Sequence, residues 1–340
     1  MTIRISIDAM GGDHGPSVTV PAVAAALARH PALEIVLFGD EAQLQPLLEE
    51  HGLAVHPRMS VEYTAQVVEM HERPSSALRG KRESSMRRAI DIVKDGGAAA
   101  CVSAGNTGAL MAMARFVLKT LPGIDRPAIC ATLPGIGHPT HMLDLGANVD
   151  STSSELFQFA VMGAVLAEAV DNRPQPSVAL LNIGEEEMKG NDRVKQTAAL
   201  LERSPLNYAG FAEGNDIYSG RFDVIVCDGF VGNVALKASE GVARMLTEIA
   251  REEFKRSWLT RLGALCAMPA LRALRNRADP RRYNGASLLG LRGTVIKSHG
   301  SADTVSYGHA IDVAVLEAEK AVPERIIHLL EKLLEESGQE

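Results

Sequence analysis

The sequence predicts an α/β protein built on a doubly wound, largely parallel sheet. Short apolar segments alternate with helical patterns from the start of the chain, at residues 3–8, 18–29, 34–38 and 42–50. This β–α–β rhythm is typical of parallel strands joined by right-handed crossovers. At 340 residues, the chain is long enough for one large domain or for two fused lobes.

Residues 222–237 show the pattern most clearly. Residues 222–227 form an apolar run rich in β-branched side chains, as is typical of a strand buried on both faces. Turn-forming residues follow at 228–233, and an amphipathic helix comes next. Open α/β sheets bind ligands at the carboxyl ends of their strands, and helix N-termini favour anions. We therefore expect this turn to help build an anion-binding active site.

The other elements follow the same rhythm. We expect further strands at residues 98–103, 177–183 and 294–297, and further helices at 109–119, 154–170, 193–202 and 323–336. Residues 130–133 and 141–145 are expected to form a hairpin or two adjacent strands. Pro174 and Pro176 mark a break between possible lobes.

Composition narrows the class of protein. A net charge of -7 argues against nucleic-acid binding, which needs a basic surface. The four cysteines are widely spaced and no CxxC or HExxH pattern occurs, so we expect reduced thiols and no metal site. No secretory leader precedes the first strand, and residues 157–170, the most apolar stretch, are too short to span a bilayer. We expect a cytoplasmic protein, attached at most to a membrane surface.

Six predicted strand ends carry Asp, Asn, Ser or His mixed with Gly, at residues 8–13, 103–108, 144–148, 182–191, 228–233 and 298–301. Any one of them is an ordinary turn, but in a doubly wound sheet we expect them to converge on one edge and face one pocket. The sequence lacks the dinucleotide, P-loop and hydrolase-elbow motifs. A small phosphate held by backbone N–H groups and a lysine fits better.

Lys189 is the cation that we select, because it stands beyond a strand end and precedes Gly190. On sequence alone it could also be a surface lysine that pairs with the acids at 185–187. For His299 the alternative is a loop-stabilising histidine, and for Asn233 it is a helix N-cap.

Seven motifs taken together resemble the signature loops of the PlsX phosphate acyltransferases of bacterial phospholipid synthesis. They are DAMGGD at 8–13, SAGNTGA at 103–109, LDLGAN at 143–148, NIG and KG within 182–190, DGFVGN at 228–233, YNGA at 283–286 and HGS at 299–301. The resemblance runs in order from residue 3 to the C-terminal helix. Its main variable stretch is residues 257–277.

The resemblance implies a Rossmann-like α/β/α sandwich similar to isocitrate and isopropylmalate dehydrogenases, with residues 1–340 as one domain and an amphipathic helical stretch protruding near 250–280. It implies a homodimer that transfers a long-chain acyl group from acyl carrier protein to inorganic phosphate without a cofactor. The acyl phosphate would pass to a membrane glycerol-3-phosphate acyltransferase. The family's lysine and asparagine that match Lys189 and Asn233 are implicated in catalysis.

The chemistry agrees with these residue types. Phosphate attacks the thioester directly, so the site must hold phosphate against the carbonyl and stabilise the oxyanion. A lysine can do the first and an asparagine amide the second, or the two roles can be reversed. We expect the remaining contacts to phosphate and substrate from Asp8, Gly11, Gly12, Asn106, Thr107, Asn148, Asp228, His299 and Gly300.

Residues 73–88 are basic and contain few acids. They are either a solvated loop that leads into a helix beginning near Ser84, or a cationic flap that meets an acidic partner.

Residues 255–277 combine basic and apolar side chains without an acid, and Pro269 is expected to interrupt them. One interpretation is a helical hairpin packed in a dimer or on the core. A second is a pair of helices whose tip enters the membrane interface. The same basic face could instead meet the acidic carrier protein. The resemblance favours the membrane, because the family associates peripherally with it. The residues expected to face lipid are Trp258, Leu259, Leu262 and Leu265.

Overall fold

The computed structural model of the chain describes residues 2–337, without the side chains of residues 274–278, 280 and 333–337. Eleven strands form one sheet. They are β1 Ile3–Asp8, β2 Leu33–Gly39, β3 Met59–Tyr63, β4 Ala100–Ser103, β5 Ala128–Leu133, β6 Thr140–Leu143, β7 Val178–Leu181, β8 Tyr208–Ala212, β9 Val224–Val226, β10 Ala286–Leu289 and β11 Thr294–Lys297.

Helices connect most of these strands. They are α1 Pro16–Arg29, α2 Glu41–Glu50, α3 Pro74–Gly80, α4 Ser85–Lys94, α5 Thr107–Leu118, α6 Ser153–Asp171, α7 Asp192–Glu202, α8 Gly229–Lys255, α9 Trp258–Ala278, α10 Thr304–Lys320 and α11 Val322–Ser337.

The strand order is β3-β2-β1-β4-β11-β10-β5-β6-β9-β7-β8. The first five strands of this order, β3, β2, β1, β4 and β11, pair in parallel with one another. The last four, β6, β9, β7 and β8, also pair in parallel. Between the two parallel sets, β10 is antiparallel to both of its neighbours and β5 is antiparallel to β6. The sheet is therefore largely parallel, as predicted, but its two parallel sets run in opposite directions.

Apolar side chains on both faces of the sheet make three layers. Alternate residues along a strand point to opposite faces, so that Val36 and Phe38 of β2 join one cluster while Ile35 and Leu37 join another. The first cluster extends across both parallel sets and is covered by α3, α4 and α5. On the other face, α1, α2 and α10 cover one set of strands, and α6, α7 and α11 cover the other. This is the predicted α/β/α sandwich.

The structure confirms one of the uncertain predicted elements and corrects others. The hairpin prediction is confirmed, because β5 and β6 pair antiparallel. Strands β3 and β10 were not predicted: β3 is a short, largely exposed edge strand, and β10 has no β-branched residue. The start of the basic stretch at 73–88 is a helix, α3, rather than a solvated loop. Ser84 accepts a hydrogen bond from the backbone N–H of Arg87 as the N-cap of α4, close to the predicted start.

Helix α6 is the one helix in residues 2–337 that is long and apolar enough to cross a membrane, with a mean hydropathy of 1.2. It extends beyond the stretch that sequence reasoning considered too short. However, 72% of this apolar window is buried inside the protein, as in the core helix of a globular domain. A capping box between Thr152 and Glu155 fixes its start.

Residues 238–278, the second part of α8 and all of α9, form a feature that we call the arm. No residue from 238 to 273 is buried. Helix α8 has 27 residues, and at 1.5 Å per residue it is about 40 Å long. A capping box between Ser257 and Thr260 starts α9, which continues through Pro269. The prediction that Pro269 interrupts this stretch is therefore wrong.

Candidate active site

The polar strand-end loops form two groups. The loops after β1, β4 and β11 lie at one edge of the sheet, because these strands are parallel. The loops after β6, β7 and β9 lie at the opposite edge, because the antiparallel steps through β10, β5 and β6 reverse the strand direction. The expectation that all six loops end at one edge is wrong.

In the first group, the protein itself satisfies the carboxylate of Asp8. This side chain is 1% exposed and accepts hydrogen bonds from Ser103 Oγ at 2.6 Å and from the backbone N–H of Met10 at 3.3 Å. Burial raises the pKa of Asp8, and these hydrogen bonds oppose the rise. The carboxylate thus ties the loop after β1 to the loop after β4.

Gly11 and Gly12 let these loops pack without side chains between them. A Cβ atom on Gly11 would lie 2.5 Å from the backbone nitrogen of Gly105. Gly12 has a φ of +92°, and a Cβ atom there would lie 2.8 Å from the carbonyl oxygen of Gly300. The same carbonyl accepts a hydrogen bond from the backbone N–H of Asp13 at 2.8 Å. The loops after β1, β4 and β11 therefore form one closely packed unit.

Asn106 and Thr107 begin helix α5. Asn106 Oδ1 accepts from the backbone N–H of Ala109 as the N-cap, and Nδ2 donates to the carbonyl oxygens of Met70 at 2.7 Å and Glu72 at 3.0 Å. The Asn106 amide is therefore fully engaged. The neighbouring Thr107 side chain is exposed and makes no hydrogen bond within residues 2–337. Of these two predicted residues, Thr107 is the one with a free donor.

Lys297 is a buried cation that the sequence analysis did not select. Its side chain is 8% exposed, and Nζ donates to the carbonyl oxygens of Ala104, at 3.2 Å, and of Ser298. Burial lowers the pKa of Lys297 to about 8, although Asp13 and Asp8 favour its charged form. No carboxylate within residues 2–337 lies at ion-pair distance from it. The Lys297 ammonium therefore links the loop after β4 to the loop after β11.

His299 lies in the loop after β11. Its Nδ1 lies 3.0 Å from Ser301 Oγ, and its backbone N–H donates to Asn284 Oδ1 at 2.9 Å. Burial lowers the pKa of His299, and the nearby Lys237 ammonium of α8 lowers it further. The histidine both stabilises its own loop and faces helix α8.

In the second group, Asp144 organises the loop after β6. It is fully buried, and its carboxylate accepts backbone N–H groups of Ile129, Ala147 and Asn148 at 2.6–3.1 Å. Burial raises the pKa of Asp144 against these hydrogen bonds. Asn148 Nδ2 donates to Asp144 Oδ2 at 3.0 Å and to the carbonyl oxygen of Pro127 at 2.8 Å. Both N–H groups of the Asn148 amide are thus used within the protein.

Helix α8 begins at Gly229, earlier than the sequence analysis predicted. Asp228 is its N-cap and accepts from the backbone N–H of Val231 at 2.9 Å. The alternative that Asn233 is the N-cap is therefore wrong. A Cβ atom on Gly232 would lie 1.9 Å from the carbonyl oxygen of Asp144, so only glycine allows the helix to pack on the loop after β6.

The backbone donors at this helix start are mostly occupied. Gly229 N–H donates to the carbonyl oxygen of Asn148, Gly232 N–H to that of Asp228, and Val231 N–H to the Asp228 carboxylate. The expected use of this helix start as an anion site therefore depends on side chains rather than on these N–H groups. Asp228 itself carries a carboxylate that serves as a cap.

Asn233 lies in the second turn of α8. A Cβ atom on Gly146 would lie 3.5 Å from Asn233 Cβ, so the asparagine lies beside the loop after β6. Its side chain is exposed, and its amide makes no hydrogen bond to any residue of 2–337. Unlike Asn106 and Asn148, Asn233 offers a free amide next to the strand ends.

Lys189 lies in the loop after β7, which pairs in parallel with β9. Its side chain is 44% exposed, and Nζ lies 3.0 Å from Glu186 Oε2. Its carbonyl oxygen accepts from Asn182 Nδ2 at 3.3 Å. Lys189 and Asn233 both lie beyond the edge at which β7 and β9 end, but neither a hydrogen bond nor an ion pair joins them among the described residues. The predicted pairing of Lys189 with neighbouring acids is present.

Helix α8 links the two groups. Lys237 follows Asn233 by four residues and therefore lies on the same helix face, one turn further on. Lys237 pairs with Glu240 at 2.9 Å, and both side chains affect the pKa of His299. Asn233 thus faces the second group, and Lys237 faces the first.

Sequence reasoning did not select Lys297 or Lys237, and it included Asp144 only as part of the polar loop at 144–148. Lys297 had a usable signal, because it is a cation at the end of an apolar strand and directly precedes His299. The signal for Lys237 was its four-residue spacing from Asn233, which places both side chains on one face of a helix. Asp144 had no signal beyond its place in a polar loop, since only the folded chain shows which N–H groups surround it.

Solved structures define the class of fold. The chain superposes on a phosphotransacetylase from Streptococcus pyogenes with a TM-score of 0.62 and 17% identity, and the match covers 94% of each chain. At this identity the likeness concerns the fold alone. The protein is therefore a three-layer α/β protein of the phosphotransacylase fold.

Sequence relatives give the family. A family model described as fatty acid synthesis protein matches residues 3–325. The chain is 60% identical over 333 residues to the phosphate acyltransferase of Alkalilimnicola ehrlichii, covering 98% of this chain and 97% of the relative. It is also 60% identical to the phosphate acyltransferase of Halorhodospira halophila, with the same coverage. The chain belongs to the PlsX family of fatty acid synthesis proteins, as the motifs indicated, and it is an acyltransferase.

Proposed function

We propose that the protein is a phosphate acyltransferase that moves a long-chain acyl group from acyl carrier protein to inorganic phosphate. The product, an acyl phosphate, would supply phospholipid synthesis. The observation that carries this proposal is the 60% identity, over almost the whole chain, to proteins named phosphate acyltransferase. The exposed cation Lys189 and the free amide of Asn233 support it, because the reaction needs both kinds of group.

In the proposed reaction, a phosphate oxygen attacks the thioester carbonyl directly. Lys189 holds the phosphate dianion, and the amide N–H of Asn233 donates to the carbonyl oxygen as it becomes an oxyanion. The reverse assignment of these two roles fits the geometry equally well. The C–S bond then breaks and the carrier leaves as a thiolate, so no strong general acid is required.

An acylated cysteine is not part of this mechanism. Burial raises the pKa of the thiols of Cys101, Cys130 and Cys227, so each remains protonated and shielded from a thioester. Cys266 is exposed but lies on α9, in the arm. Direct attack by phosphate also needs no cofactor.

The other residues expected at the site have two kinds of role in this proposal. In the first group, Thr107 has a free hydroxyl to offer phosphate, and Asp8, Gly11, Gly12 and Gly300 shape the loops around this hydroxyl. Helix α8 joins this group to Asn233, because Lys237, one turn after Asn233, affects the pKa of His299. Asn106, Asn148, Asp228 and His299 hold these loops through their own hydrogen bonds.

A phosphotransacetylase that uses coenzyme A is the second candidate, because solved phosphotransacylases share the fold. One assay separates the two. The protein is incubated with long-chain acyl carrier protein or with acyl-coenzyme A, with and without phosphate, and acyl phosphate is measured. We expect acyl phosphate only when phosphate is present, with acyl carrier protein as the better donor by kcat/KM. A preference for acyl-coenzyme A would favour the second candidate, and no product with either donor would refute both.

We further propose that the chain is a single domain whose arm serves two contacts. The apolar side chains on α8 are half exposed, at 49–58%, and would pack on the same helix of a second copy to form a homodimer. Those residues are Val242, Met245, Leu246 and Ile249. On α9, Trp258 is 72% exposed and Leu265 is 65% exposed, and Leu259 and Leu262 are also exposed. These side chains would enter the inner face of the cell membrane, where a membrane glycerol-3-phosphate acyltransferase would receive the product.

The double variant Leu262→Glu and Leu265→Glu tests the membrane contact. We expect it to lose sedimentation with vesicles that contain anionic phospholipid, because two charges replace apolar groups at the tip. Sedimentation velocity should still show a dimer. Leu200→Glu, on the exposed side of α7, is the matched control and should bind vesicles normally. Normal vesicle binding by the double variant would contradict the membrane contact, and a monomeric unaltered protein would contradict the dimer.

A further inference from the structure

A concave pocket of about 290 Å³ opens where α3, α4 and α5 meet. Its lining is one aromatic ring, one leucine and three arginines: Phe116, Leu78, Arg79, Arg82 and Arg87. The Phe116 ring is 53% exposed. Lys119 Nζ lies 4.8 Å from the ring centroid, and Arg87 Cζ lies 5.7 Å from it. We call this feature, with Lys119 included, the arginine pocket.

Most cations of the arginine pocket lack an acidic partner in the protein. Arg87 pairs with Asp91 at 2.8 Å. Arg79 Nε donates only to the carbonyl oxygen of Ser75, and no carboxylate within residues 2–337 lies at ion-pair distance from Arg79, Arg82 or Lys119. The chain as a whole carries a net charge of -7, so this surface opposes the overall charge.

The local helix chemistry also favours an external anion. The first turn of α4 contains Arg87 and no acid, although cations at a helix N-terminus are unfavourable. Asp91 compensates Arg87 within the protein, but Arg79, Arg82 and Lys119 have no acidic partner among the described residues. An acidic partner would compensate both the unpaired arginines and the helix dipole.

Helix α5 connects the arginine pocket to the first group of strand-end loops. Thr107 begins this helix at the strand ends, and Phe116 lies nine residues later, at about 14 Å along the axis. The segment that leads into α3 is held at the same place, because Asn106 Nδ2 donates to the carbonyl oxygens of Met70 and Glu72. The pocket and the first group of loops therefore keep a fixed separation along one helix.

We propose that the arginine pocket is the docking surface for the acyl carrier protein. An acidic face of the carrier would pair with Arg79, Arg82 and Lys119, and one of its apolar side chains would pack on Phe116. The acyl thioester would then extend along α5 to Thr107 in the first group of loops, which helix α8 links to Asn233 in the second. This proposal rests on the proposed function, because it takes the carrier protein as the acyl donor.

The size and shape of the pocket favour a protein side chain over other occupants. About 290 Å³ is at the lower limit for a small-molecule site, so the pocket suits one inserted side chain rather than a long acyl chain. A membrane surface would need several protruding apolar groups, and Phe116 is the only large apolar side chain of α3, α4 and α5 that is mostly exposed. Charge complementarity of this kind mainly sets partner choice and association rate.

The test compares two acyl donors. Arg79→Glu combined with Arg82→Glu is assayed with long-chain acyl carrier protein and with the corresponding acyl-pantetheine, which lacks the protein. We expect kcat/KM for the carrier protein to fall at least tenfold more than kcat/KM for acyl-pantetheine, because charge reversal repels the acidic carrier. Fluorescence anisotropy of labelled carrier protein measures docking without turnover, and its Kd should rise by a similar factor.

Arg261→Glu combined with Arg272→Glu, on the basic face of α9, is the competing variant. The proposal predicts a smaller effect on carrier binding than from Arg79→Glu and Arg82→Glu. A larger effect would move the docking surface to the arm and overturn the proposal. Three results for the variant with Arg79→Glu and Arg82→Glu would also overturn the proposal. They are equal losses of kcat/KM with both donors, an unaltered Kd for the carrier protein by anisotropy, and loss of the protein's sedimentation with anionic vesicles. If the unaltered protein forms no acyl phosphate, the proposed function fails, while the anisotropy measurement still decides whether the pocket binds the carrier.

Discussion

The two groups of strand-end loops differ in how far the protein satisfies their polar groups. In the first group, the carboxylate of Asp8 and the ammonium of Lys297 are buried and hydrogen-bonded to neighbouring loops. In the second group, Lys189 and Asn233 reach the surface, and Asn233 has no partner among the described residues. The first group of loops therefore satisfies these polar side chains within the protein, whereas the second group leaves a lysine and an amide available to a ligand.

This difference separates residues that position the site from residues that can contact substrate. A side chain whose donors are all engaged must break a hydrogen bond to bind phosphate, and an unsatisfied buried group costs about 1–3 kcal/mol. The second group also contains a residue that only positions the site, Asn148, since both of its amide N–H groups are used within the protein. Thr107 is the exception in the first group, because its hydroxyl is free. The chemistry should therefore depend most on Lys189 and Asn233.

The largest expected effect is that of Lys189→Ala. We expect phosphate-dependent acyl phosphate formation to fall by about 10²–10³-fold, as for the loss of one group that stabilises charge in a transition state. The free energy of unfolding should change by less than about 0.5 kcal/mol, because an exposed ion pair contributes little. Steady-state turnover and denaturant unfolding measure the two quantities.

Glu186→Gln is the matched control for Lys189→Ala. It removes the ion pair at 3.0 Å and keeps the lysine, so it separates a catalytic lysine from one that only pairs with its neighbour. Turnover should stay within about twofold of the unaltered protein, which is a change of less than 0.5 kcal/mol in activation free energy. Near-normal turnover of Lys189→Ala would remove Lys189 from the mechanism.

Much of the fold could be predicted from the sequence, because it depends on local patterns. The alternation of apolar strands and amphipathic helices gave the α/β class, and Asp, Asn and Gly after strands gave the positions of the loops. The reversal of strand direction could not be predicted in this way. It needs the pairing of β10 with β5, which are distant in sequence, in addition to the local antiparallel pairs β10–β11 and β5–β6. Local patterns carry no information about such partners.

The composition of the candidate site was only partly predictable for the same reason. The sequence shows that Lys297 ends a strand, but its burial arises only when the loops after β1, β4 and β11 close around it. The free amide of Asn233 and the engaged amide of Asn148 look alike in sequence, since both follow Gly-rich turns. What distinguishes them is the backbone that packs against each one.

Lys297→Met tests whether the first group of loops shields the Lys297 side chain from water. The folded protein holds the pKa of Lys297 at about 8, below the ordinary value of 10.5, because burial disfavours the ammonium. Between pH 8 and 10.5 the unfolded chain therefore binds more protons than the folded chain, so this lysine makes stability rise with pH across that window. At 1.36 kcal/mol for each pH unit, the rise is about 3 kcal/mol.

The methionine variant removes the titrating group and keeps the length of the side chain. The unaltered protein should gain stability over the variant as the pH rises from 8 to 10.5, and the two stability curves should run parallel below pH 7. Chemical denaturation at a series of pH values gives both curves. Lys94→Met, at the exposed end of α4, should give a curve parallel to that of the unaltered protein throughout. Parallel curves for Lys297→Met up to pH 10.5 would mean that the Lys297 ammonium is hydrated, and the contrast between a closed and an open group of loops would then be lost.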